Sequence, residues 1–209
     1  MKISVLHPSR GRAQRAYETY CKWVNNADDP FEYIMAWDED DYRQYYEQFF
    51  YEDHNIEICL RPNHSAIEAI NNAAKIATGD LFVVISDDTD TFQGWDTALL
   101  NELQGKEDFL VKCQDGIQPK LITMPVMDRK YYERFGYIYF GGYSHMYADN
   151  ELTEVGHILG RVITSNLIFE HLHYLTGKNK IDAIYEKNNT TYQQGLELFN
   201  KRKSINFDL

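Results

Sequence analysis

Apolar and polar positions alternate through the first half of the chain in a repeating rhythm. Ile3 to His7 is a short apolar run that reads as a strand stopped by Pro8. From Ala13 to Val24, the residues Ala16, Tyr20, Trp23 and Val24 recur on one helical face. Phe31 to Trp37 is a second strand, and it runs into the acidic turn Asp38-Glu39-Asp40-Asp41. Tyr42, Tyr45, Tyr46, Phe49 and Phe50 mark an amphipathic aromatic helix, and Ile56, Ile58 and Leu60 alternate as a strand. Ser65 and Glu68 form a capping box ahead of a helix whose core face is Ile67, Ile70, Ala74 and Ala77, with Gly79 as its stop. Leu81 to Ile85 is an unbroken apolar run and reads as a buried central strand.

The second half is less regular. A helix is predicted over Trp95–Leu103, strands over Phe109–Lys112 and Leu121–Pro125, and a short helix over Asp128–Phe135. The segment 137–157 is rich in Gly, Tyr and His, which suits a binding loop, with a helix starting near Asp149 and running to His157. Asn166–His173 reads as a late strand closed by Thr176-Gly177-Lys178. Lys180–Lys203 is a polar helix or tail with few core positions, expected to pack loosely. Strands alternating with helices imply an α/β fold: a mainly parallel, mixed sheet flanked by helices, with a Rossmann-like N-terminal half. Right-handed crossovers then bring the turns PSRGR, WDEDD and SDDTD to one edge, where open α/β sheets bind ligands.

Composition narrows the partners. With 209 residues, 44% apolar and 25% charged, the chain is expected to form a single domain, or one domain with a tail, around a substantial core. A net charge of −11 disfavours a generic nucleic-acid or anionic-membrane binder. Cys21, Cys59 and Cys113 are far apart and odd in number, which reads as reduced thiols in a cytoplasmic protein. The MKISVLHP start is too brief for a signal peptide, and no apolar run is long enough to span a membrane.

The chemistry gathers after the central strand, at Asp87, Asp88 and Asp90. A hydrophobic strand that delivers carboxylates to a sheet edge can hold a divalent cation over a phosphate ligand. A solvated acidic loop is the plainer alternative.

Several motifs in order carry a resemblance. These are PSRGR after the first strand, the acidic turn WDEDD, the stretch RPNHSAIEAINNAAKIATGDLFVVISDDTDTFQGWD, then ADNEL and IFEHLHYLTGKNKIDAIY. Together they resemble the nucleotide-sugar glycosyltransferases of the GT-A fold, in particular family-two-like inverting enzymes. The chain departs from the pattern at Ala148, where the acceptor motif has an acid, and at Gln93, where many members have Pro. Its DxD-like cluster is also longer than needed.

The resemblance implies a metal-dependent inverting glycosyltransferase in one GT-A-like domain, with residues 1–95 as the nucleotide-sugar-binding half, 96–179 as the acceptor half and 180–209 as a helical tail. It would move a sugar from a nucleotide-sugar donor, most simply a UDP-sugar, to an acceptor hydroxyl. Asp88 is then the first metal ligand and Asp90 the second, unless Asp90 is a turn or capping residue. His171 or His173 supplies a further ligand, which favours Mn2+ over Mg2+, or the pair are ordinary polar residues of an edge strand. Pro8, Ser9 and Arg10 line the base or ribose, Asp38 accepts from the uracil or ribose, Asn63 bonds the base, and Asp87 touches the ribose. Arg10 or Arg12 reaches phosphate, or both stay solvated. Asp149 is the general base, a helix N-cap, or both, with Glu151 and Glu154 as alternatives. Trp95 belongs to the core rather than to a sugar platform, and Gly141 and Gly142 allow backbone approach to the donor sugar. A nucleotidyltransferase is the rival enzyme, but its Gly-rich loop is represented here by Gly11 alone. An inactive binding module is the third reading, and it gives no reason to keep a base. The acceptor stays open among a saccharide, a protein side chain, a lipid-linked sugar and a modified nucleobase, and a large acceptor would call for a homo-oligomer to supply surface.

Overall fold

A computed structural model describes residues 1–42, 47–50 and 56–209. Tyr45 and Tyr46 of the expected aromatic helix lie outside the described residues.

In chain order the elements are β1 (Ile3–Ser9), α1 (Ala13–Asn25), β2 (Glu32–Asp38), α2 (Glu39–Asp41), α3 (Glu47–Phe50), β3 (Ile56–Arg61) and α4 (Ala66–Ile76). There follow β4 (Leu81–Val84), β5 (Thr89–Asp90), α5 (Trp95–Glu102), β6 (Leu110–Gln114), β7 (Val126–Asp128) and α6 (Arg129–Glu133). The chain finishes with α7 (Ala148–Ile158), β8 (Val162–Ile168), β9 (Glu170–His171), α8 (Ala183–Asn189) and α9 (Tyr192–Ser204). The main sheet has seven strands in the order β3-β2-β1-β4-β7-β6-β8, and β5 pairs with β9 beside it. All pairings in the main sheet are parallel except those of β7 with β4 and β6.

Successive strand residues point to opposite faces, and both faces are apolar because helices cover both. Val5, Tyr33 and Val83 pack with Trp23 of α1 and with Trp95 and Leu99 of α5. Leu6, Ile34 and Phe82 pack with Ile67, Ile70 and Ala74 of α4, and with Tyr131 and Leu152 of α6 and α7. Trp95 is fully buried and donates to Trp23 O at 3.0 Å, as a core residue should.

Several local expectations shift for physical reasons. β1 runs on through Pro8 to Ser9. Its pairing with β4 ends at Leu6, so the proline, which lacks an N–H, sits where one side of the strand is open. Val24 is exposed, while Thr19 takes its place in the face of α1 that includes Tyr20. On β3 the burial is inverted: Ile58 is 39% exposed and Cys59 is buried, as an edge strand permits. The strand expected at Leu121–Pro125 forms instead at Val126–Asp128, between β4 and β6. The late strand begins at Val162, four residues earlier than Asn166, and breaks at Phe169. The Ser65 cap accepts from Glu68 N at 3.1 Å, while Glu68 accepts from His64 N at 2.8 Å. α4 ends at Ile76, before Gly79. Gly79 serves close packing, since a Cβ there would sit 2.3 Å from Ser4 Oγ and 2.8 Å from Ser4 N.

The C-terminal segment has few buried residues, as expected, and is anchored at particular points. Arg202 and Tyr185 are buried, and α9 lies against α7. Among the described residues no helix is long and apolar enough to cross a membrane.

Candidate active site

The register aligns Ser9 with Trp37 and Asp38 with Arg61, so the parallel strands end together at one edge. A cavity of about 1260 Å³ opens there. Its walls include Pro8, Ser9, Arg10, Asp38 and Asn63 on one side, Asp87 and Asp88 below, and Asp149, His171 and His173 on the other.

On the first side the acidic turn is organised by arginine. Arg10 makes two hydrogen bonds to Asp40, at 2.8 and 2.7 Å, and a further one to Asp38. The Arg10 bond holds the Asp40 carboxyl down at about 2. Gly11 has φ +68°, a conformation that favours glycine, and its N–H donates to Asp41 at 2.7 Å. Asn63 lines the cavity but is bonded inward. Its amide donates to Trp37 O and Arg61 O, at 3.1 and 3.2 Å, and its oxygen accepts from Asn72 at 2.9 Å. It therefore braces the turn ahead of α4.

The three aspartates after β4 diverge. Asp87 accepts from His7 Nε2 at 2.9 Å. Asp88 accepts from Ser86 Oγ at 2.6 Å and from the Tyr185 hydroxyl, and His171 Nε2 stands 3.3 Å from its Oδ2. Burial works to raise the Asp88 pKa, but the His171 bond and charge, with Ser86 and Tyr185, outweigh it and hold the carboxyl well below the usual range. Asp90 does not join them. It belongs to β5, its side chain pairs with Lys22 at 2.6 Å, and it lies outside the cavity wall. β5 and β9 align Thr89 with His171, and Leu172 N donates to Asp88 O at 2.7 Å, so this small sheet carries the imidazole to Asp88. His173 lines the same cavity, and its Nδ1 accepts from Leu175 N at 3.2 Å, capping the turn that follows.

Among the described residues no three His, Cys, Asp or Glu side chains form a metal-binding group. Two stand at the right separation. Cis ligands of an octahedral cation at about 2.1 Å lie about 3 Å apart, close to the 3.3 Å between Asp88 and His171. One carboxylate and one imidazole fit a borderline cation such as Mn2+ whose other positions are filled by ligand oxygens and water.

Helix α7 places Asp149 in the cavity wall. The cap of α7 is Tyr147, at φ 72°, so Asp149 is not the N-cap. Its carboxylate accepts from Asn150 N at 2.9 Å, and burial raises its pKa, opposed by the local backbone N–H groups. Glu151 is buried against Arg202, 2.8 Å from Nε, and against the Tyr143 hydroxyl at 2.7 Å. Glu154 pairs with Lys203 at 2.5 Å. Neither lines the cavity, which leaves Asp149 as the one of these three acids that does. Gly141 and Gly142 are also outside the wall, and Gly142 faces Phe140 and Leu198.

Sequence reasoning missed the C-terminal contribution. Arg12 bonds Asp182 twice at 2.8 Å and lies 4.5 Å from the centre of the Tyr185 ring. Asp182 also caps α8, a role legible as an acid just ahead of Ala183, Ile184 and Tyr185. His145 is a second omission. It lines the cavity, and burial, then the charge of Arg12, lowers its pKa to about 4, so it is neutral.

Carboxylates, an imidazole and a guanidinium gathered at the C-terminal edge of a mixed sheet define a GT-A-like α/β domain. Residues 4–181 match the model for glycosyl transferase family 2, and the chain belongs to that family. Among solved structures it is similar to the mannosyltransferase PcManGT from Pyrobaculum calidifontis in complex with GDP-Man and Mn2+, with TM-score 0.62 and 15% identity over 81% of this chain and 56% of that one. It is also similar to S. aureus TarS 1-349 in complex with UDP, with TM-score 0.63 and 12% identity over 81% of this chain and 60% of that one. The chain thus spans little more than half the length of these structures. No curated protein sequence matches it.

Proposed function

We propose that the chain is a metal-dependent inverting glycosyltransferase. It takes a sugar from a nucleoside-diphosphate donor, most simply a UDP-sugar, and passes it to an acceptor hydroxyl. The observation that carries this reading is that Asp88 and Asp149 line one cavity together with Pro8, Ser9 and Asp38. Family membership and the nucleotide ligands of the two similar structures support it.

Pro8, Ser9, Asp38 and Asp87 receive the base and ribose. Asp88 and His171 hold Mn2+, which when bound stabilises the charge developing on the departing diphosphate. Asp90 has no part in this set. Arg12, which lines the cavity and feels the charges of Asp87 and Asp88, adds a positive charge near the diphosphate. Asp149 takes the proton from the acceptor hydroxyl as its oxygen attacks the anomeric carbon and the bond to the diphosphate breaks. The raised pKa of Asp149 makes it a stronger base than a solvated aspartate. The chain works as one catalytic domain with donor and acceptor halves. Its free cysteines support a reducing, cytoplasmic setting.

A screen of nucleotide sugars with Mn2+ tests the reading. Release of a nucleoside diphosphate with one donor, lowered about 10²–10⁴-fold in Asp149→Asn with donor binding retained, is the expected result. Turnover only when inorganic pyrophosphate is added, giving a nucleoside triphosphate and a sugar 1-phosphate, would mark a nucleotidyltransferase, and binding without turnover of any donor would mark an inactive module.

A further inference from the structure

One buried histidine has no role in the site as described so far. His7 lies on β1, fully enclosed, in a strand that is otherwise mostly apolar. Its Nε2 is 2.9 Å from Asp87 Oδ1, and its Nδ1 is 2.7 Å from the Tyr33 hydroxyl. Tyr33 is itself buried, and burial, then the charge of Asp87, raises its pKa well above the ordinary value, so the phenol keeps its proton. The Asp87 carboxylate only accepts, so Nε2–H donates to it, and in that tautomer Nδ1 accepts from the Tyr33 hydroxyl. Thr19 Oγ1 holds the Asp87 carbonyl from another side at 2.8 Å. Among the described residues nothing bonds Asp87 Oδ2, and Asp87 lines the cavity. A carboxylate fixed at one oxygen and open at the other presents a single directed acceptor.

We propose that His7, backed by Tyr33, is a positioning residue that turns Asp87 so that Oδ2 accepts from a ribose hydroxyl of the donor. The proposal rests on the reading of Asp87 as a nucleoside-side residue. It makes a specific demand: His7 governs discrimination between ribose and deoxyribose, and acts on donor KM more than on kcat.

The test is calorimetric binding of UDP, 2′-deoxy-UDP and 3′-deoxy-UDP to the full chain with Mn2+, and the same guanosine set. Wild type is expected to bind the ribonucleotide at least about tenfold tighter than one deoxy form, the range of a hydrogen bond to a charged group. Asp87→Ala is expected to abolish that preference. His7→Phe and Tyr33→Phe are expected to reduce it to within about twofold. His7→Gln, which keeps a donor and an acceptor on the side chain, is expected to retain most of it. If His7→Phe fails to fold by its melting curve, Tyr33→Phe decides. Wild type that does not discriminate, or Asp87→Ala that still does, overturns the reading of Asp87 and the proposal with it. Loss in Asp87→Ala with full discrimination in Tyr33→Phe and His7→Phe overturns the positioning role alone.

Discussion

Replacing Arg202 with alanine tests whether the C-terminal helix is part of the catalytic scaffold. Arg202 is 6% exposed and Glu151 is 4% exposed. The guanidinium bonds both Glu151 oxygens from Nε at 2.8 Å, and lies 3.6 Å from the centre of the Phe140 ring. It also holds Asp208 at 2.7 Å and Phe207 O at 3.0 Å. Truncation leaves Glu151 buried with Tyr143 as its remaining partner. Removing one partner of a buried ion pair costs about 3–5 kcal/mol. For a chain of this size each kcal/mol is worth about 2–4 °C, so Tm is expected to fall by about 6–20 °C. Differential scanning calorimetry reads this directly. Arg202→Met combined with Glu151→Leu is expected to recover most of the loss, because no uncompensated charge remains. A fall of less than about 2 °C in the single variant, or a double variant as unstable as the single, would refute the reasoning.

Other outcomes follow from the same geometry. In Asp149 the pKa is raised in the fold, so the group favours folding at low pH, and this contribution is lost as pH rises through its folded pKa. Asp149→Asn is therefore expected to raise Tm at neutral pH while lowering turnover about 10²–10⁴-fold, and an unchanged or lower Tm would contradict that. The same shift moves the acid limb of the kcat profile above the ordinary aspartate value of about 3.9, read from initial rates across pH with a preferred donor. Gly79→Ala forces a Cβ against Ser4 backbone and side chain, and is expected to destabilise by about 1–3 kcal/mol in urea melts.

Much of the fold was legible because its cause is local. The capping box at Ser65, the two-sided apolar strand from Leu81 and the spacing of Ala16, Tyr20 and Trp23 each declare one element. The strand at Val126 was misplaced because LITMPVM is apolar throughout, and only its partners β4 and β6 choose the residues that pair. The sparse core of the tail was legible, but hydropathy does not register what holds it: an ion pair to Glu151 and, at Gly195, a site where a Cβ would sit 2.4 Å from Met146 O. The acidic cluster was plain as chemistry, but its division was not. The two-residue pairing of β5 with β9 turns Asp90 to Lys22 and leaves Asp88 with His171. Asp149 was singled out by its motif, and its separation from Glu151 and Glu154 needed the positions of Arg202 and Lys203.

The central claim is that Asp88 and His171 hold a divalent cation against a nucleoside diphosphate. Calorimetric titration of UDP and GDP, with Mn2+ and with a chelator, tests it on wild type, Asp88→Asn and His171→Ala. Saturable binding of one nucleotide to wild type that requires Mn2+ and is lost in Asp88→Asn, with weakening in His171→Ala, is the result expected. Nucleotide binding equally tight in the chelator, or unaltered in Asp88→Asn, would contradict the account.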